Sequence, residues 1–125
     1  MARYWMTPTA RLHVRRAIQE TREKWGLHQA GAYRRDLQTG FQKIADEHTT
    51  FNAPHREDLA VGTAFTLHLV AHRYVAFQAW RGDVIIAGLF HERMDIPVRL
   101  QELQGLTPQE IDALKREIDA ARRGR

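Results

Sequence analysis

With 125 residues, 43% of them hydrophobic and 27% charged, the chain has the make-up of one globular domain, large enough to bury roughly two thirds of its unfolded surface around a single core. It contains no cysteine, which excludes disulfides, thiol catalysis and thiolate-built zinc sites, and it has no run of about 18 apolar residues that would span a bilayer. Its opening residues reach Thr7-Pro8 too soon for a secretory segment, so cytoplasmic residence is the expectation.

The formal charge of +4 is unevenly spread. Residues 1–45 carry nine Lys or Arg against three Asp or Glu, residues 46–100 five against seven, and residues 101–125 five against five. The basic part is therefore the first third. Sixteen of the nineteen basic residues are Arg, a residue suited to planar recognition of phosphate or carboxylate, although a GC-rich genome gives the same bias without function.

Ala2 to Met6 reads as a short first strand, with Tyr4 and Met6 on one face and Arg3 and Trp5 on the other. Thr7-Pro8 then forms an N-cap and first-turn pair, and Ala10, Val14, Ala17, Ile18, Thr21 and Trp25 recur along one helical stripe that Gly26 ends. A second helix is expected from about His28 to Glu47, burying Ala30, Tyr33, Leu37, Phe41 and Ile44. The connection at Gly26-Leu27 is so short that the two helices must form an antiparallel hairpin. Gly31 and Gly40 within the second helix are points of close packing or tolerated weakness. His48 to Gly62, polar and without period, reads as a long loop.

From Ala64 the period becomes two. Phe65, Leu67 and Leu69 alternate with Thr66, His68 and Val70; a tight connection at Ala71-His72-Arg73 leads to a strand from Tyr74 to Trp80, and Arg81-Gly82-Asp83 turns the chain into Val84 to Phe90. That last run is apolar throughout and starts with β-branched residues, as a central strand covered on both faces should be. Asp95 caps a short helix anchored by Val98, Leu100 and Leu103, and Gly105 breaks it. Thr107-Pro108-Gln109-Glu110 has the pattern of a capping box, with Leu106 and Ile111 placed for a hydrophobic staple. The stripe Ile111, Leu114, Ile118 and Ala121 must dock on this domain, on a second copy or on a partner, since an isolated helix of that length is marginal in water.

The predicted class is thus α+β: an N-terminal strand, an antiparallel helical hairpin, a three-stranded antiparallel meander and C-terminal helices. In this order, and in Tyr4 to Arg11, Lys24-Trp25-Gly26, the Tyr33 to Phe41 register, His72-Arg73-Tyr74-Val75-Ala76-Phe77 and Ile85 to Asp95, the chain resembles the RelE/ParE superfamily of bacterial type II toxins, and within it the ParE branch. The ending His91-Glu92-Arg93-Met94-Asp95 is the most specific part of that resemblance. It covers residues 1–103 as a toxin domain and leaves 104–125 as a C-terminal helical extension. The resemblance implies a protein that binds DNA gyrase, stalls it with cleaved DNA and arrests growth until a cognate ParD-like antitoxin neutralises it, an inhibitor needing no cofactor and no sequence-specific contact with nucleic acid.

Arg73, His91, Glu92, Arg93 and Asp95 form the densest polar cluster of the sequence, read as a structural clasp between the sheet and the final helices or as a partner-binding site. The ribonuclease branch of the superfamily suggests a different role, in which Arg73 stabilises developing charge and His91 moves a proton during cleavage of mRNA in the ribosome. The Lys pair of such nucleases is missing from the second strand, and Glu92 stands where an aromatic residue is expected. Arg15, Arg22, Trp25, Tyr33 and Arg34 are the candidate antitoxin contacts, the arginines for acidic segments and the two aromatics as anchors, with a core position the ordinary reading for both rings. No metal site is expected: His68 and His72 on a strand would stand roughly 13 Å apart, and His91-Glu92 lacks the second His of a zinc-protease motif.

Overall fold

The computed structural model describes residues 2–49 and 57–124; the expected loop therefore lies partly outside the described residues. Strand β1 (Tyr4–Met6) leads into α1 (Pro8–Trp25) and α2 (Leu27–Glu47); after a 3-10 turn at Glu57–Ala60 come β2 (Thr66–Val70), β3 (Arg73–Trp80), β4 (Asp83–His91), α3 (Ile96–Leu106) and α4 (Pro108–Arg123). The sheet order is β1-β4-β3-β2, with β1 parallel to β4 and the rest antiparallel. The α+β architecture read from the sequence is the one observed.

The sheet has helices on both faces, which is why β4 is apolar throughout. The hairpin side is built from Ala10, Ala17, Leu37, Phe41, Ile44, Val75, Phe77, Val84, Ile86 and Leu89, and the C-terminal side from Leu67, Tyr74, Ala76, Ile85, Phe90, Ile96, Leu100, Leu103, Ile111, Leu114 and Ile118. A β-bulge inverts the phase of β4: Ala76 pairs with Gly88 but Phe77 with Ile86, leaving Ala87 as the extra residue. Val84 and Ile86 face the hairpin before the bulge, Leu89 after it. At Gly88 a Cβ would stand 2.9 Å from Leu103 Cδ2, so α3 rests directly on backbone there.

Both hairpin turns have two residues with positive φ, Ala71 (50°) with His72 (65°) and Arg81 (55°) with Gly82 (86°), as the twist of adjacent antiparallel strands demands. A single residue, Gly26 at φ 93°, separates α1 from α2. Gly40 is a point of close packing, because a Cβ would fall 2.3 Å from Val70 Cγ1; Gly31 is not, its nearest contact being 3.7 Å away.

Strand β1 pairs with β4 only as far as Ile86. Beyond it, α1 satisfies the exposed edge. Thr7 N donates to Ile86 O at 3.0 Å, Thr7 Oγ1 donates to Ala87 O at 3.2 Å, and Leu89 N donates to His13 Nδ1 at 3.2 Å. The same Thr7 hydroxyl accepts from Ala10 N at 3.0 Å, the N-cap expected of it.

Four local expectations fail, each through a tertiary contact. Trp25 is 66% exposed, because Ile18 is the last α1 residue that packs against the hairpin-side core and the helix tip runs on beyond it. Val98 is half exposed, its expected place in the core being filled by Ile96. Gly105 does not end α3, which runs through it to Thr107, so that the sequence boundary at 103/104 falls inside a helix. Finally, the capping box does not form. Thr107 Oγ1 donates to Leu103 O at 2.7 Å, Leu106 is 66% exposed, and Glu110 accepts from Thr9 N and Thr9 Oγ1, each at 2.8 Å. The carboxylate that resembles a cap for its own helix instead serves the first turn of α1, where amide donors lack partners and the helix dipole favours negative charge.

Helix α4 docks on its own domain, with Ile111, Leu114 and Ile118 in the core. Its far end is held at Asp83, a carboxylate only 2% exposed that accepts from Arg3 N and Trp5 Nε1 at 3.0 Å each and pairs with Arg122 at 2.6 Å. Asp119 receives Trp80 Nε1 at 3.1 Å.

Candidate partner-binding site

On α1, Arg11, Arg15 and Arg22 follow one another at four- and seven-residue steps, which keeps them on one side of the helix; Arg34 and Arg35 face them from α2. Two adjoining cavities lie along this seam. The one toward the hairpin tip, of about 500 Å³, is lined by Arg15, Arg22, Arg34 and Arg35 over Ile18, Leu27, Ala30 and Gly31. Its neighbour, of about 330 Å³, reaches β1 and has Val14, Leu37, Phe41, Tyr4 and Met6 for a floor, rimmed by Arg11, Arg15 and Arg34. Among the described residues no acidic side chain lines either cavity and none of these five arginines is in an ion pair. An apolar trough with a cationic rim fits an amphipathic segment carrying carboxylates.

Of the five candidate contacts, Arg15, Arg22 and Arg34 therefore converge on one groove. Trp25 and Tyr33 do not. They line a separate depression with Thr21, Gln29, Ala32 and Asp36.

The polar cluster at the end of β4 separates into local contacts. Arg73 and His91 are direct cross-strand partners and so share the hairpin face. The Arg73 side chain, only 14% exposed, pairs with Glu20 at 3.3 Å and stands 6.0 Å from the centre of the Tyr33 ring. His91 Nδ1 accepts from Arg93 N at 3.1 Å within the turn, Glu92 meets His72 at 3.2 Å, and Asp95 caps α3 by accepting from Val98 N at 3.4 Å. The guanidinium of Arg93 is in no ion pair among the described residues. Apart from the turn contact between His91 and Arg93, the members have separate partners, and Asp95 serves as the N-cap of α3.

Two titrating groups near this cluster are displaced from their ordinary behaviour. Burial, helped by the charge of Arg16 and opposed by Glu110, lowers the pKa of His13, whose ring also packs 5.2 Å from Phe90. Burial raises the phenol of Tyr33, with the Arg73 guanidinium opposing it. His13, Asp83, Glu20 and Glu110 are absent from the sequence-level candidates. Only His13 left a signal, since it stands three residues after Ala10 and four before Ala17 on the buried stripe; the partners of the others are distant in sequence.

No family model matches the chain. Among curated proteins it is similar to Toxin ParE of Escherichia coli, with 27% identity over 103 residues that make up 82% of this chain and 96% of that toxin. The chain is similar to ParE/RelE-type toxins. The likeness extends over nearly the whole of the toxin, so it takes in the architecture as a unit, and it supports a toxin of a toxin–antitoxin system. Among the described residues no helix is long and apolar enough to cross a membrane, and no group of three or more His, Cys, Asp or Glu is placed to hold a metal ion.

Proposed function

We propose that this ParE-like chain is the toxin of a type II toxin–antitoxin pair, acting in the cytoplasm as a stoichiometric inhibitor of DNA gyrase, without cofactor or catalysis, and neutralised by a ParD-like antitoxin. Similarity to Toxin ParE over 96% of that protein's length carries the reading. The arginine groove of the hairpin supplies a seat for the antitoxin: an acidic, amphipathic segment would set its apolar residues on Val14, Leu37 and Phe41 and its carboxylates against Arg15, Arg22 and Arg34. Inhibition by binding is favoured over hydrolysis because Arg73 is engaged by Glu20 and stacked toward Tyr33, and one ring nitrogen of His91 is occupied by a backbone N–H.

One observation favours the ribosome-dependent mRNA endonuclease instead: Arg73 and His91 are immediate cross-strand neighbours on one face. The two functions separate in one pair of assays. Purified protein is added to a gyrase supercoiling reaction and to a translating extract whose mRNA is mapped by primer extension. Trapped, cleaved plasmid with intact mRNA is expected. Ribosomal cuts abolished by Arg73→Ala would overturn the gyrase reading. Reversal of the groove charges, Arg15→Glu with Arg34→Glu, should weaken the antitoxin encoded beside the gene by at least about tenfold at low salt, measured calorimetrically, while leaving the melting temperature within about 2 °C. Unchanged affinity would remove the groove from the antitoxin interface.

A further inference from the structure

The hairpin has a second concavity, on which the arginines of the groove do not border. Thr21, Trp25, Gln29, Ala32, Tyr33 and Asp36 enclose about 360 Å³ near the helical tip. Trp25, at 66% exposure, has left the core to which its sequence position assigned it, and an exposed Trp fits a role in contact with something else. Both rings already attract cations of the chain itself, with the Lys24 ammonium 5.9 Å from the Trp25 centre and the Arg73 guanidinium 6.0 Å from that of Tyr33. Asp36 is exposed, and among the described residues it contributes the one formal charge of the lining and is in no ion pair.

We infer that this depression is a docking site for a protein segment that presents an arginine, its guanidinium lying against Trp25 and Tyr33 and paired with Asp36. Arginine fits better than lysine because a planar, weakly hydrated cation stacks on an aromatic face while still donating hydrogen bonds in its own plane to a carboxylate. The carboxylate of Asp36, unpaired among the described residues, is the feature that selects a basic partner. The two sides of one hairpin are then opposite in preference, the groove taking carboxylates and the Trp25 side a cation, so both can be occupied at once. The site rests on no assumption about gyrase or antitoxin.

The test uses the full chain with ¹⁵N-labelled indoles and an acetylated, amidated Gly-Arg-Gly peptide as probe, with the citrulline peptide as its neutral isostere. A saturable shift of the Trp25 indole is expected. Trp5 and Trp80, whose indoles are bound to Asp83 and Asp119, should stay in place as internal controls. Binding should weaken about three- to tenfold for the citrulline peptide and for Asp36→Asn, a substitution at an exposed position that leaves the fold intact. Absence of a saturable shift, equal binding of the two peptides, or undiminished binding by Asp36→Asn would each overturn the assignment. The growth-arrest phenotype is read separately, so a toxin with no arginine site and an arginine site on a non-toxin are distinguishable results.

Discussion

The contact between Glu110 and Thr9 joins residues 101 positions apart and makes α4 part of the domain that starts at β1. Both carboxylate oxygens are used, one by a backbone N–H and one by a hydroxyl, each at 2.8 Å in a partly buried setting. A hydrogen bond to an ionised group contributes about 1.5–3 kcal/mol, and a carboxylate in the first turn of a helix adds about 0.3–1 kcal/mol through the dipole. Because Glu110→Ala leaves Thr9 N near solvent, part of that loss is recovered by water, and a net cost of about 2–3 kcal/mol is expected. For a domain of this size such a loss lowers the melting temperature by about 10 °C, with the unfolding entropy per residue taken as typical. Glu110→Gln keeps an acceptor for the amide and should cost about half as much. The measurement is thermal and urea unfolding of wild type, both variants, Thr9→Ala and the double substitution; a coupling energy of about 1 kcal/mol or more between Thr9 and Glu110 is expected. A change below about 0.5 kcal/mol for Glu110→Ala, or additivity with Thr9→Ala, would refute the reasoning that α4 holds the start of α1 through Glu110.

Three further outcomes follow from the packing. His13 accepts the Leu89 N–H, and its folded pKa lies below the unfolded value, so its stabilising contribution is complete above about pH 6.5 and is lost as the pH falls through the lowered folded value. Urea midpoints at pH 8, 6.5 and 5 should therefore drop toward acid more steeply in wild type than in His13→Gln, which keeps an acceptor that does not titrate. Gly40→Ala should destabilise by about 1–3 kcal/mol, because its Cβ meets Val70, whereas Gly31→Ala should stabilise by up to about 1 kcal/mol. Replacing Ala71, at φ 50°, by Gly should raise stability by about 1 kcal/mol, read as a shift of the urea midpoint at constant slope.

The candidate site was half legible. Arg15, Arg22 and Arg34 could be assigned to one face by helical arithmetic alone, since a short turn between two helices forces their neighbouring sides together. Trp25 could not, because a ring on the stripe of a helix reads as core until it is known how far the sheet reaches beneath that helix. The cluster from His91 to Asp95 was found as a cluster, but its division into a turn, a salt bridge with His72 and a helix cap depends on side-chain directions that spacing does not contain.

What the sequence determined by itself was local and periodic: two helices with Thr7 and Gly26 at their bounds, three strands, and a central β4 covered on both faces, because alternation or its loss reports directly on how many faces are buried. Only the tertiary structure decided the rest. It placed β1 beside β4, inverted the phase of β4 at Ala87, gave Glu110 to α1 instead of α4, and buried Asp83 beneath Arg3, Trp5 and Arg122. The physical reason is the same in each case. A polar group takes the donor that packing brings nearest, and for residues some 80 or 100 positions apart that proximity exists only once the sheet and its two helical layers have closed.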